Sequence, residues 1–493
     1  MTDPQFKIRI VFPLLLLVLA SPCFDVPQSL AQDSVDSQID RVLRGLRPPV
    51  TIKNRTEVRW TLAERMAALH VPGASIAIIE GGRVIWAGGF GVKEFGTRDS
   101  VTTSTLFQAQ SISKPVSATA MLRLVEAGQL SLDEDVNSYL KSWKVPENNF
   151  TNQAKVTLRR IVSHNAGVTV GGFGGYRLGD SIPALPQILN GEKPANSAPI
   201  RVDAVPGSIS RYSGGGFLVM QQLLIDVTGE SFPALMKRMV LEPAGMKLST
   251  FEQPLPEMRL KEAASGHDGK GVVMKGKWPI QPEMAAAGLW TTPTELANWV
   301  LEIANAWGGR RSKLLSKKMA TDMLTVQKGQ WGLGLVVKGT DQSFAFGHSG
   351  ANLGFRADFE MYPAIGKGAV VMTNADLGSY LIDEIFESIA AEYNWPAHRQ
   401  SEREAVTLTR EQLDGLVGMY AVAGPFGLVQ YEVSREDDRL FAELKGFAPK
   451  SEMFAQTADT FFSIYGYSIV FTRDSSGRAV KVKLGGEVEA VRK

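Results

Sequence analysis

The chain is nearly without cysteine: Cys23 is the single one in 493 residues. No intramolecular disulfide is therefore possible, and a folded exported form must rest on a sizeable apolar core. Charge imbalance is missing too. Fifty-three basic residues against 51 acidic ones leave +2, so electrostatics gives no reason to expect a nucleic-acid or anionic-membrane partner. Long apolar runs are absent apart from "IVFPLLLLVLA", Ile10 to Ala20, which is too short to span a bilayer as a mature anchor. There is no Walker loop, calcium loop, heptad array or internal repeat. The five histidines are scattered without a spaced pair, so neither a metal site nor a cofactor is expected. "GGFGGY" (Gly171 to Tyr176) contains a G-x-G, but no strand-turn-helix surrounds it, and it reads as a loop.

What is present begins with export. Lys7 and Arg9 precede the apolar stretch and Ser29-Leu30-Ala31 offers small residues, so residues 1–31 read as a signal peptide cut after Ala31. The expected location is periplasmic or secreted, without a stable membrane anchor. Ser21-Pro22 before Cys23 makes a poor lipidation signal.

Residues 32–395 read as one α+β domain, an antiparallel sheet flanked by helices with a mostly helical subdomain. "VPGASIAIIEGGRVIWAGGFGV" predicts two strands joined at Gly81-Gly82. Ala118, Met121, Leu122 and Val125 define one apolar helix face, with Gly128 as the stop. "FRADFEMYP" alternates and predicts a half-buried strand, polar side outward. Ile382, Ile385, Phe386 and Ile389 mark a further helix. Residues 396–406 break periodicity and read as a linker. Residues 407–493 then read as a small all-β domain, barrel or sandwich.

Two Ser-x-x-Lys quartets compete for chemistry: Ser111 with Lys114, and Ser138 with Lys141. A chain of this length should contain roughly one or two such matches by chance. A serine hydroxyl needs a base, and a lysine serves only where burial or a neighbouring cation lowers its proton affinity. Ser138 and Lys141 lie in an acidic stretch expected to be a solvated helix. Ser111 and Lys114 instead open an apolar helix and share one face, with Pro115 tolerated in the first turn. Downstream, "PGSISRYSGGGF" places Tyr212 in a Gly/Ser-rich turn, and "FGHSGANLGF" places His348-Ser349-Gly350 before the alternating strand.

In this order the elements resemble the serine β-lactamase and penicillin-binding-protein family, closest to its class C-like branch of β-lactamases, D-amino-acid peptidases and acyl esterases. The likeness extends from about Val58 to Asn394 through "LVEAGQLSLDEDVNSYL", "VTLRRIVSHNAGV" and "AAAGLWTTPTELANWV". The C-terminal residues resemble the β-barrel modules that follow this domain in some members. By position, the resemblance implies Ser111 as acylated nucleophile, Lys114 as proton relay and Tyr212 as its partner in general base catalysis. The backbone N–H groups of Ser111 and Ala351 would form the oxyanion hole, each donor worth about 3 kcal/mol of barrier. His348, Ser349, Gly350 and Gly214 would line the substrate cleft.

Two positions depart from the pattern. Gly214 stands where many relatives carry asparagine, and His348 where a lysine is usual. A neutral imidazole binds a substrate carboxylate less well than a fixed cation does. No acidic residue is placed to activate the deacylating water in the class A manner. Weak or no β-lactam turnover is therefore expected, which leaves esters and short D-residue peptides, with Phe173, Tyr176, Ile182, Leu185 and Leu189 as an acyl-binding wall. The alternatives are a slow β-lactamase or a catalytically silent receptor for cell-wall peptides.

Overall fold

The computed structural model describes residues 34–424, 427–486 and 488–493. The expected leader and Cys23 lie outside the described residues. Six antiparallel strands build the main sheet, in the order Arg83–Gly91, Gly73–Glu80, Lys367–Thr373, Phe355–Tyr362, Ala345–Asn352 and Val336–Lys338. The first hairpin turns at Gly81 and Gly82, whose φ values of 60° and 73° suit glycine in a two-residue connection.

Both faces of this sheet are covered. On one face Ala77, Ile79, Phe359, Met361, Val370 and Met372 join the main core with helices Ser113–Glu126, Gly214–Thr228 and Pro293–Trp307. There the Trp299 ring meets Phe359 edge-on at 5.7 Å, and its indole N–H donates to Thr119 Oγ1 at 3.2 Å. On the other face Ile76, Ile78 and Val371 pack with helices Val35–Arg44 and Gly378–Glu392. The alternating strand Phe355–Tyr362 is therefore not half-buried, as its pattern suggests. Its polar side lies under helix Gly378–Glu392, and two of its charged residues, Glu360 and Arg356, are met there by counter-charges. Glu360 is bonded by Tyr362, by Lys338 at 2.5 Å and by His398 at 3.4 Å. Arg356 pairs with Asp376 at 3.2 Å. Polar alternation signals a solvent face only when no later element brings counter-charges to cover it.

Eight strands between Gly418 and Arg492 close into a barrel, which decides between the two β architectures. Tyr420, Tyr431, Phe461 and Phe471 belong to its core. The stretch 396–406 is no free tether. Ser401–Arg403 forms a strand parallel to Val50–Ile52, and the Val406 N–H donates to Ala455 O at 2.8 Å. The barrel docks where Tyr465 donates to Glu384, a buried carboxylate that also takes two 2.7 Å bonds from Arg65.

His398 fastens the start of this connection, standing between Glu360 and Glu387, the latter at 3.7 Å. Burial disfavours its charged ring, but the two carboxylates outweigh that and raise its pKa from 6.5 to about 9. A group with a raised folded-state pKa stabilises fully below its unfolded value and ceases to do so as pH climbs through the folded one. Wild-type protein should therefore lose thermal stability between pH 7 and pH 10 more steeply than His398→Gln. The variant should be the less stable of the two near pH 6, by about 2 kcal/mol. Melting curves across that range check this.

Candidate active site

Ser111 sits in a 3₁₀ turn, Gln110–Ile112, that runs straight into helix Ser113–Glu126. The turn is pinned on both sides: Ala109 N–H donates to Leu289 O, and Leu289 N–H donates to Ser113 Oγ, each at 2.9 Å. Gln110 holds φ at 49°, a left-handed conformation that costs a non-glycine residue about 1 kcal/mol or more. Strain of this kind persists only where surrounding contacts overdetermine it, and here it lies beside the candidate nucleophile.

Lys114, one helical turn on, is 2% exposed. Its Nζ donates to Ser111 Oγ at 3.0 Å and to Ala286 O at 2.9 Å. The ammonium also stands 4.8 Å from the centre of the Tyr212 ring and 5.8 Å from that of Phe217. The Ser111–Lys114 face anticipated from sequence is thus formed. Its competitor is not: Ser138 ends a 3₁₀ turn rather than lying in a helix, and Lys141 is exposed.

The carbonyl that anchors Lys114 is itself held. Ala286 belongs to the short helix Met284–Ala287, and Gln221 grips the approach to it, donating to Pro282 O at 3.1 Å and accepting from Ala285 N–H at 2.8 Å. Sequence reading missed Gln221, because a buried amide on an apolar helix carries no local motif.

Tyr212 is set by His164, one of the histidines whose scattered spacing carries no signal in the sequence. The His164 carbonyl accepts from Arg211 N–H at 2.8 Å and its Nδ1 accepts from Ser213 N–H at 3.1 Å, so His164 brackets the tyrosine from both sides. Its ring lies 4.4 Å from Tyr212 and 4.5 Å from Trp331. Burial, and then the charge of Lys114, keep His164 well below its ordinary pKa and hence neutral. With Nδ1 accepting, the ring proton rests on Nε2. The one available signal was the left-handed φ of 55° at His164, which only the structure displays.

Strand Ala345–Asn352 forms the opposite wall. Gly350 lies against the Ser111 turn so closely that a Cβ there would stand 2.1 Å from Ala109 O. His348 is on the same side, buried, with Nδ1–H donating to Ser349 O at 2.6 Å. Burial and then Lys114 lower its pKa to about 3. His348 is accordingly a neutral ring, not a cation. Ser349 and Ala351 alternate to the other side of the strand and are exposed.

Gly214 opens helix Gly214–Thr228, and the space beside it is taken. A Cβ there would come within 3.0 Å of Phe173 Cε2 and of Gly171 O. The anticipated acyl-binding wall is only partly present. Phe173 reaches the site, but Leu189 and Tyr176 are buried packing residues, Leu185 packs against the core, and Ile182 is 38% exposed. Among the described residues no group of three His, Cys, Asp or Glu is placed to share a metal ion.

The structure thus brings together a buried lysine touching a serine hydroxyl, a tyrosine and a tightly packed strand. The chain belongs to the beta-lactamase family, whose description matches residues 58–390. It is similar to penicillin-binding protein 4 of Amycolatopsis lactamdurans, 26% identical over 349 residues, 67% of this chain and 88% of that one. The octameric penicillin-binding protein homologue from Pyrococcus abyssi shares the fold over 87% of this chain and 98% of its own, with a TM-score of 0.59 at 23% identity. The D-amino acid amidase from Ochrobactrum anthropi does so over 67% and 96%, with a TM-score of 0.55 at 19% identity.

Gly350→Val should disrupt the site without unfolding the domain, because the added carbons meet the Ala109 carbonyl. Labelling of Ser111 by a fluorophosphonate should fall about a hundredfold, with the circular dichroism unchanged. His164→Ala should lower labelling about tenfold by releasing Tyr212.

Proposed function

We propose that this chain is an exported serine hydrolase that works through an acyl-enzyme on Ser111, with an uncharged ester or a short D-residue peptide as substrate. The observation that carries the reading is the 3.0 Å contact between the buried Lys114 Nζ and Ser111 Oγ. The Lys114–Tyr212 pair acts in the form that lacks one proton, so that one of the two is a free base. Ser111 Oγ attacks the substrate carbonyl carbon and passes its proton to that base as the new C–O bond forms. The backbone N–H groups of Ser111 and Ala351 receive the developing oxyanion. Collapse breaks the bond to the leaving group, which takes up the proton from the pair. Water then repeats the sequence on the acyl-enzyme, releasing the acid and restoring Ser111.

The charge pattern narrows the substrate. A neutral His348 supplies no fixed cation for a carboxylate, and Lys114 is already engaged with Ser111 and Ala286. Phe173 occupies the space where an amide beside Tyr212 would contact a peptide or β-lactam. β-Lactam turnover should consequently be slow or absent, in line with the sequence expectation.

The test is hydrolysis by purified protein of a short p-nitrophenyl ester, a D-alanyl peptide and nitrocefin, with Ser111→Ala as blank. Ester or D-peptide turnover should vanish in that variant, and Lys114→Met should lose about a thousandfold in kcat. Efficient nitrocefin hydrolysis that depends on Ser111 would contradict the substrate assignment. Absence of turnover and of Ser111 labelling in folded protein would favour a silent receptor instead.

A further inference from the structure

The two walls of the site are bridged at both ends. Segment 169–173 runs beside the start of helix Gly214–Thr228: Ser213 Oγ donates to Thr169 O at 3.0 Å, while Gly214 and Gly215 N–H donate to Gly171 O and Val170 O at 2.9 Å. The same segment then crosses to the opposite wall, where Asn352 Nδ2 donates to Phe173 O at 2.9 Å. Leu353 N–H donates to Asn352 Oδ1 at 2.8 Å, so the bridging amide is fixed at both its polar atoms. The crossing falls one residue beyond Ala351, directly after the expected oxyanion donor. At the other end the Trp331 ring stands 5.6 Å from Tyr212 and 5.8 Å from His348, touching both walls. Its loop is seated on the Ser111 helix, since a Cβ at Gly334 would lie 3.1 Å from that of Ala118.

A peptide strand lying along the strand Ala345–Asn352 needs a groove that continues past the nucleophile in both directions. The Phe173–Asn352 bridge and the Trp331 ring interrupt it in both. Apart from Lys114, which is engaged with Ser111 and Ala286, the side chains named here are apolar or neutral, and a glycine at 214 leaves the Phe173 ring as the wall beside Tyr212. We infer that the reaction centre is a blind well that takes a short, uncharged acyl group end-on, with Phe173 and Asn352 setting its depth. This rests on the hydrolase reading above and chooses, within it, short-chain acyl esters over extended D-peptides.

The test is a chain-length profile of the full chain on p-nitrophenyl acetate, butyrate and octanoate and on a D-alanyl-D-alanine peptide, with Ser111→Ala as blank. The short esters should exceed octanoate in kcat/KM by about tenfold or more, since each poorly accommodated methylene carries a substantial penalty. In Phe173→Ala, and to a lesser degree in Asn352→Ser, the octanoate-to-acetate ratio should rise about tenfold, through a lower KM for octanoate. Phe173→Leu, which keeps apolar bulk, should fold normally and give an intermediate ratio. Wild-type preference for octanoate or for the peptide would overturn the well while leaving the hydrolase standing. Equal loss on all esters in every variant would do the same, as it would reduce the bridge to a structural tie. Failure of Ser111 to react with any ester or with a fluorophosphonate would instead remove the hydrolase reading, and the well with it.

Discussion

A buried ammonium governs this site, and no carboxylate among the described residues is one of its hydrogen-bond partners. An unpaired charge in a protein interior is costly, and the usual remedy is an acidic neighbour. Here Lys114 is met by a hydroxyl, a backbone carbonyl and two ring faces. No side-chain carboxylate is among these partners; neutral acceptors alone satisfy the ammonium. Glu283, close before Ala286 in sequence, does not break this rule. Burial raises its pKa to about 8, so at neutral pH it is mostly an uncharged acid. The field of Lys114 also reaches the two nearby histidines and adds to the burial that keeps them neutral.

Much of the surrounding fold serves to keep that arrangement in place. Ser111 is fixed by bonds between its turn and Leu289, and Ala286 is fixed through Gln221. Tyr212 is bracketed by His164, and strand Ala345–Asn352 closes against the turn because Gly350 lacks a side chain. Each contact joins segments distant in sequence, which is how a rigid site is held on a scaffold. The far face of the sheet concerns stability instead, with its paired charges, the docked connection and the barrel held through Tyr465, Glu384 and Arg65.

The legible part of this molecule was whatever repeats locally. Hairpin glycines, helix faces and the all-β tail declared themselves by periodicity and turn chemistry. Ser111, Lys114, Tyr212 and His348 stood out because their order matches a family whose roles are linked, and the structure places them together. Other features depend on partners far along the chain. The polar side of Phe355–Tyr362 reads as solvent-facing because nothing local shows that His398 and Lys338 return to neutralise it. His164, Gln221 and Trp331 act through neighbours outside their own segments. The loop at Gly171 to Tyr176 reads as free, yet its carbonyls are bonded by the start of one helix and the end of one strand.

The central claim is that Ser111 forms a covalent acyl intermediate with Lys114 assisting. The most direct measurement is intact-protein and peptide mass spectrometry after mixing with p-nitrophenyl acetate and quenching in acid. The account requires one acetyl group on the peptide containing Ser111, formed quickly in wild type, far more slowly in Lys114→Met and not at all in Ser111→Ala. An acetyl group on another residue, or wild-type turnover with Ser111 unmodified under conditions that trap the intermediate, would contradict it.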